Sequence, residues 1–437
     1  MHSHGLRKPS FSILVNMFTK WEDTMKATYP AITAAILGAN LLAGPVLAQQ
    51  ESQLSAHACE ALAVEFRAEG VKLTSGSAIE AGSAKEGASL PAHCKITGVI
   101  DERVGRKNQE YAIKFQLLIP IEGAWNKKFI FVGGGGSNGS VRDGIAAPAA
   151  LQPPLARGYA VLTQDSGHDN FVNDIPEDGG VRSFGLDYRA RQDNSFRSYP
   201  RATEVAMQVL EAAYGEGPDL KYFSGCSEGG RQAMLVAQRY PEMFDGVIAG
   251  APLLKAPHAA LVRPAWLMQR YADLAREKGL EDRNGLPFLN KTFTDADLEV
   301  LRSGVEKVCD PLDGVSDGMS QNLRACQAAF DPGALLCEAG ESGGCLTASQ
   351  VNTLMTQMGG LENDVPWSWD VGIVGQMRDW WLGPWEAEQS NSFWIRGALE
   401  ALYISPPPAV DLSVRNGSEA YRRMLDFDVE TDMSFSI

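Results

Sequence analysis

The 437-residue sequence predicts an α/β protein with a largely parallel central sheet, and three observations carry that prediction. Short apolar runs bounded by turn residues alternate with amphipathic, helix-period segments between residues 94 and 252. The pentapeptide Gly225-Cys226-Ser227-Glu228-Gly229 stands between a strand-like and a helix-like segment. A glycine-rich stretch, Gly133-Gly134-Gly135-Gly136-Ser137-Asn138-Gly139, directly follows another strand-like run.

In chain order, residues 49 to about 90 are small and polar and read as a leading arm. Residues 95–99, 111–119 and 129–132 read as strands, each alternating or continuously apolar between turn clusters. Residues 159–163 form a further strand, and 202–214 carry the apolar spacing of a helix leading to a strand at 220–224. A helical segment, 230–240, is stopped by Pro241, and 244–250 is another buried strand. This rhythm implies helices on both faces of the sheet. Beyond Pro252 it stops. Residues 253–437 hold helix-like stretches, two short cysteine loops, an aspartate-rich loop and seven of the nine tryptophans. Such an aromatic block reads as a lid over a site, with walls suited to a flat ring.

The composition, 44% hydrophobic and 21% charged, is that of an ordinary globular protein. A net charge of -15 argues against a nucleic-acid partner, which would need a basic face. From Met25 the sequence reads as a secretory signal: Lys26 supplies the charge, residues 31–42 are apolar, and Val46-Leu47-Ala48 fits a cut before Gln49. The apolar run is too short to span a bilayer. The expected organisation is therefore an upstream extension (1–24), a signal peptide (25–48), a core (49–252) and a lid (253–437), in a secreted or periplasmic protein. In an oxidising compartment neighbouring cysteines pair, which suggests Cys59 with Cys94, Cys309 with Cys326 and Cys337 with Cys345. Cys226 is left unpaired.

The pentapeptide has the form of a nucleophile elbow, a sharp strand-to-helix turn that holds a serine hydroxyl clear of the sheet. Small residues are needed there because side chains would strike the neighbouring backbone. Ser227 is the candidate nucleophile. The glycine stretch lets backbone N–H groups approach a ligand oxygen, so the N–H groups of Gly136 and Glu228 are the candidate oxyanion hole. A phosphate loop is the rival, but its Lys-Ser/Thr is absent. The base is less legible. His258 is the one histidine after Ser227, and His168, in Gly167-His168-Asp169-Asn170, is a loop histidine more often structural than catalytic. The absence of a later histidine, together with the odd Cys226, suggests a chain that stops before its core is finished. Residues 310–319, Asp310-Pro311-Leu312-Asp313-Gly314-Val315-Ser316-Asp317-Gly318-Met319, place acidic residues at short spacing with glycines for turning. Oxygen ligands so arranged suit calcium, in a structural role, although the EF-hand's full spacing is missing.

These motifs together resemble the tannase and feruloyl esterase family, from about Cys59 to Asp428. Residues 290–298, 324–332 and the run Trp380-Trp381-Leu382-Gly383 add to the likeness. The resemblance implies an α/β-hydrolase core with a large lid inserted after the strand near Pro252. It implies Ser227 as nucleophile, Gly136 and Glu228 as oxyanion donors, and calcium held by the side chains of Asp310, Asp313 and Asp317 and the carbonyls of Val315 and Met319. It also implies a catalytic aspartate and histidine in a C-terminal stretch absent here, the histidine followed by a cysteine that bonds the counterpart of Cys226. Substrates are implied to be small aromatic esters, of the terephthalate monoester, feruloyl or galloyl type. Trp380 and Trp394 are the candidate aromatic clamps, and Arg396 is the candidate for holding a free carboxylate. The expectation is a secreted serine carboxylesterase, apparently truncated at the C-terminus, with little or no turnover in this form. The alternative is a non-catalytic, calcium-stabilised protein that binds aromatic ligands.

Overall fold

The computed structural model describes residues 54–387 apart from 84–88, 137, 145–151, 176–180, 182, 253–262, 284, 286, 342, 360–376 and 379–381. The expected leader and signal peptide, and Trp380, Trp394, Arg396 and His258, therefore lie outside the described residues.

Seven strands form one sheet: β1 (Val71–Ile79), β2 (His93–Val104), β3 (Glu110–Pro120), β4 (Lys128–Val132), β5 (Ala160–Gln164), β6 (Leu220–Cys226) and β7 (Gly246–Gly250). Their spatial order is β1-β2-β3-β5-β4-β6-β7. β5, β4, β6 and β7 pair in parallel, while β1, β2 and β3 join by antiparallel pairings. Counting β2 with the parallel four, five strands point the same way, so the sheet is mixed but mostly parallel. The sequence pattern explains the burial. β3 alternates along its first half and is buried on every residue from Phe115 to Pro120, where it passes into the centre of the sheet.

The helices of seven residues or more are α1 (Ala56–Glu65), α2 (Ser198–Tyr214), α3 (Glu228–Arg239), α4 (Arg263–Glu277), α5 (Asp295–Cys309), α6 (Leu323–Ala329) and α7 (Ala348–Gly359). α1 and β1 correct the reading of residues 49–90 as an arm. Ser55 caps α1 through Ala58 N–H, and Cys59 bonds Cys94 at the start of β2. The expectation of helices on both faces also changes. Leu117, Ile119, Phe129, Phe131, Leu162 and Phe223 project from one face into a core shared with α1, α2 and α3. The alternate residues Leu118, Ile130, Val132 and Val161 pack instead on Leu155, Tyr159 and Leu90, with no long helix among the described residues.

Apolar side chains after Pro252 make a second, separate core. Leu267, Tyr271 and Leu274 of α4 meet Phe293, Leu301 and Val305 around α5, with Leu354 of α7 and Met377 and Leu382. α5 starts where Thr294 and Asp297 form a reciprocal capping box. Cys309–Cys326 and Cys337–Cys345 staple this part, so all three expected disulfides are present and Cys226 is the free, exposed cysteine.

Candidate active site

The chain leaves β6 at Cys226 and enters α3 at Glu228, so one residue makes the whole turn. That residue, Ser227, has φ 59° and ψ -116°, a conformation ordinarily left to glycine and costing about 1–3 kcal/mol in any other residue. Two backbone hydrogen bonds hold it: its N–H donates to Gly250 O at 3.0 Å, and its carbonyl accepts from Arg231 N–H at 3.0 Å. The side chain stays exposed. The flanking glycines are required by crowding. A Cβ on Gly225 would come within 2.2 Å of Gly229 O, and one on Gly229 within 2.6 Å of Gly134 O. β6, α3 and the glycine stretch therefore touch backbone to backbone at the serine.

That contact sets the first turn of α3 beside the glycine stretch. The first-turn N–H groups of α3, Glu228 and Gly229 among them, have no acceptor within the helix and lie at the positive end of its dipole. In the glycine stretch, Gly133 N–H donates to Ser224 O (2.8 Å), Gly134 N–H to Gln232 Oε1 (3.0 Å) and Asn138 N–H to Gly135 O (3.2 Å). The N–H groups of Gly135 and Gly136 have no acceptor among the described residues. Gly136 is exposed with φ 62°, and a Cβ there would meet nothing within 4 Å. Such an arrangement can receive an anionic oxygen.

Beneath the turn lies a buried ion pair. Arg231, wholly buried, donates through Nε to Glu228 Oε1 at 3.0 Å. It also reaches Ser195 O (3.3 Å), Asn194 O (3.1 Å) and the Tyr199 hydroxyl (3.4 Å). Burial opposes the Arg231 charge, but the adjacent Glu228 outweighs it and pushes the pKa up. Burial likewise pushes the Tyr199 phenol up to about 12.

The loop after β5 runs alongside. Gly139 N–H donates to Asp165 O, and Asn170 N–H to Gly139 O, both at 2.9 Å. Burial drives the Asp165 carboxyl well above the usual carboxylate range, although Gly167 and Lys114 N–H groups donate to it. Burial would also raise Asp169, but the Lys114 ammonium at 2.5 Å brings it below its ordinary value. His168 is 1% exposed and stacks on Phe184 with ring centroids 3.7 Å apart. Among the described residues no histidine hydrogen-bonds the Ser227 hydroxyl.

The aspartate-rich loop follows α5. Asp310 Oδ1 accepts from Asp317 and Gly318 N–H groups (3.1 and 2.9 Å), Asp313 from Val315 and Gln321 (3.1 and 2.8 Å), and Asp317 from Met319 (3.0 Å). Its donors are all oxygen, as calcium prefers. Among the described residues no three acidic, histidine or cysteine side chains converge into a metal-holding group. Val315 and Met319 are exposed. After Met377, Arg378 ties Asp295, Asn290 O and Phe293 O together at 2.6–2.8 Å and lies over the Trp385 ring.

The structure thus brings Ser227, Glu228 and the glycine stretch together, and places the 310–319 loop in the second core's neighbourhood on α5. Sequence reasoning missed Gln232, Asn138 and Arg231. Their signal was present in Arg231-Gln232, two long polar side chains inside a helix that is buried from Glu228 to Ala233.

Comparison with known proteins identifies the class. The model of the family described as tannase and feruloyl esterase matches residues 94–372. Mono(2-hydroxyethyl) terephthalate hydrolase of Piscinibacter sakaiensis is 37% identical over 374 residues, 79% of this chain and 60% of the relative. An uncharacterized esterase of Xanthomonas campestris is 31% identical over 275 residues, 63% of this chain and 42% of the relative. Feruloyl esterase B from Aspergillus oryzae shares the fold, with a TM-score of 0.65 at 20% identity over 86% of this chain and 70% of that one. The chain belongs to the tannase and feruloyl esterase family. It spans about 60% or less of the length of these curated relatives.

Proposed function

We propose that this protein is a secreted or periplasmic serine carboxylesterase that hydrolyses small aromatic esters, with Ser227 as nucleophile. The observation that carries the reading is Ser227 itself, an exposed serine held at φ 59° where α3 begins and the glycine stretch abuts it. The core is read as an α/β-hydrolase, whose elbow occupies this strand-to-helix position.

In the proposed reaction the Ser227 hydroxyl adds to the ester carbonyl while its proton passes to a base. The carbonyl oxygen gains negative charge and is met by the N–H groups of Gly136 and Glu228. The C–O bond then breaks, the alcohol leaves with a proton, and water hydrolyses the acyl-serine to free acid. Since no described histidine contacts Ser227, the base is sought outside the described residues. Residues from 253 onward are read as the lid, with Trp380 and Trp394 against the aromatic ring and Arg396 for a free carboxylate. The chain's 37% identity to a terephthalate monoester hydrolase and the family's feruloyl esterases support an aromatic acyl group.

Calcium is proposed at the 310–319 loop on its all-oxygen ligands and its likeness to the family's loop. The Asp310, Asp313 and Asp317 side chains, which here accept backbone N–H groups rather than converge, would hold it with the Val315 and Met319 carbonyls. Its contribution there is structural, joining the end of α5 to the loop. Three disulfides support an oxidising compartment. No helix among the described residues is long and apolar enough to cross a membrane.

Hydrolysis of methyl ferulate, a terephthalate monoester and tributyrin by the protein and by Ser227→Ala tests the reading. Aromatic esters are expected to be preferred, with activity lost in the variant. Preference for tributyrin, or activity that survives the substitution, contradicts it.

A further inference from the structure

We infer that Gln232 is a positioning residue whose buried amide clasps the glycine stretch against the elbow helix and so sets the oxyanion cradle. The inference rests on the esterase reading above and adds to it a residue outside the expected site.

Gln232 lies one turn into α3, on the same helix that Ser227 opens, and is wholly buried. Its Oε1 accepts the Gly134 N–H at 3.0 Å, and its Nε2 donates to Asn138 Oδ1 at 3.3 Å. Asn138, 7% exposed, passes the direction on: its Nδ2 donates to Gln164 O, at the end of β5, at 3.3 Å. One amide orientation satisfies this whole relay. A backbone N–H requires a carbonyl opposite it, so the Gln232 NH2 faces Asn138, and the Asn138 NH2 then faces the β5 carbonyl. The Asn138 amide also lies flat on Gly134, where a Cβ would be 1.7 Å from Oδ1. Gly134 is therefore held from two sides, through its N–H and across its Cα.

The consequence falls on the next two residues. Gly135 and Gly136 carry the N–H groups left without acceptors, and Gly136, exposed at φ 62°, has no side chain to pack it in place. The fixed point immediately before them is Gly134. Its tie runs to α3, the element that carries the other donor, Glu228 N–H. The Gln232 amide thus fixes the distance between the two halves of the cradle, and it touches neither substrate nor reacting atoms. A shift of about 1 Å in such donors can cost about 100-fold in rate.

The test compares the full-length protein with Gln232→Met, Gln232→Glu, Asn138→Gly and the Gln232→Met/Asn138→Gly pair. Glycine accepts the positive φ of Asn138 (59°), so that variant removes the side chain without strain. The rate at which an excess fluorophosphonate modifies Ser227 is measured, with hydrogen exchange of the Gly134 region and a thermal melt on each variant. Gln232→Met is expected to modify Ser227 about 100-fold more slowly, with faster Gly134 exchange. The double variant is expected to be no slower than the slower single one, because both changes open one clasp. In Gln232→Glu, a protonated carboxyl can still donate to Asn138 and an ionised one cannot. Its rate relative to the natural protein should therefore rise as pH falls from 8 to 5, a signature that loss of packing does not give. Normal labelling and Gly134 exchange in a folded Gln232→Met protein would overturn the inference while leaving the esterase reading intact. Additive losses in the double variant, or a pH-independent ratio for Gln232→Glu, would also overturn it. Failure of the natural protein to label at Ser227 strikes the esterase reading instead.

Discussion

Replacing Arg231 with methionine removes the charge that compensates Glu228 in the floor of the elbow. The structure gives the magnitude. Arg231 is wholly buried and Glu228 is 7% exposed, so the stranded carboxylate has little water to turn to. Removing one partner of a buried ion pair costs about 3–5 kcal/mol, and methionine fills much of the vacated volume, which keeps a cavity term small. The carbonyls of Asn194 and Ser195 lose a donor as well. At about 2–4 °C per kcal/mol, the melting temperature is expected to fall by about 6–20 °C. Adding Glu228→Gln removes the uncompensated charge, so the double variant should recover a substantial part of the loss. Thermal unfolding followed by far-UV circular dichroism reads both proteins. An Arg231→Met protein within about 2 °C of the natural one, or a double variant no better than the single, refutes the reasoning.

Other consequences follow from single contacts. Ser227→Gly relieves the strained φ and, after the entropic cost of glycine, should stabilise the fold by roughly 1 kcal/mol while abolishing any esterase activity; a destabilised variant contradicts the strained elbow. Removing the Cys59–Cys94 bridge, which closes 35 residues, should cost about 4 kcal/mol by the chain-entropy relation, read by denaturant melts of the double serine variant; a loss under about 1 kcal/mol would show α1 held without it. Burial pushes the Asp193 carboxyl up to about 7 from 3.8, against the opposing pull of the guanidinium groups of Arg197 at 2.6 Å and Arg189 at 3.6 Å. Between those values the folded protein keeps a proton the unfolded chain releases, so stability should fall as pH rises from about 4 to 7, by up to about 4 kcal/mol, and then level. Asp193→Asn should flatten that slope, and an unchanged slope in urea melts across the window contradicts it. Calcium at 100 times its dissociation constant should raise stability by about 2.7 kcal/mol, and Asp310→Asn should abolish the response; indifference of the melt to calcium and chelator contradicts the proposed site.

The strands from β2 to β7 were legible because each is a short apolar run between turn residues, and the elbow because its glycines are needed by local crowding. The disulfides were legible because their partners lie only 35, 17 and 8 residues apart. β1 was not. As an edge strand its residues alternate between half-buried and exposed, and Val71-Lys72-Leu73-Thr74-Ser75-Gly76-Ser77 carries little apolar contrast. Pairing direction was also hidden, although the short 105–109 connection between β2 and β3 leaves no length for a parallel crossover and could have announced a hairpin. The Gln232–Asn138 clasp joins residues 94 apart through polar atoms, and no local periodicity reports such a contact. The Glu228–Arg231 pair was closer to view, since a spacing of three on a helix brings side chains together, but only burial gives it weight.

The most direct measurement of the central claim is the site of covalent modification by a serine-directed fluorophosphonate, mapped by peptide mass spectrometry. An activated elbow serine facing aligned amides predicts a single adduct, on Ser227, because cradle and helix terminus favour attack there even where the base is weak. A protein that stays unmodified at Ser227, or that carries its adduct on another serine, contradicts the account.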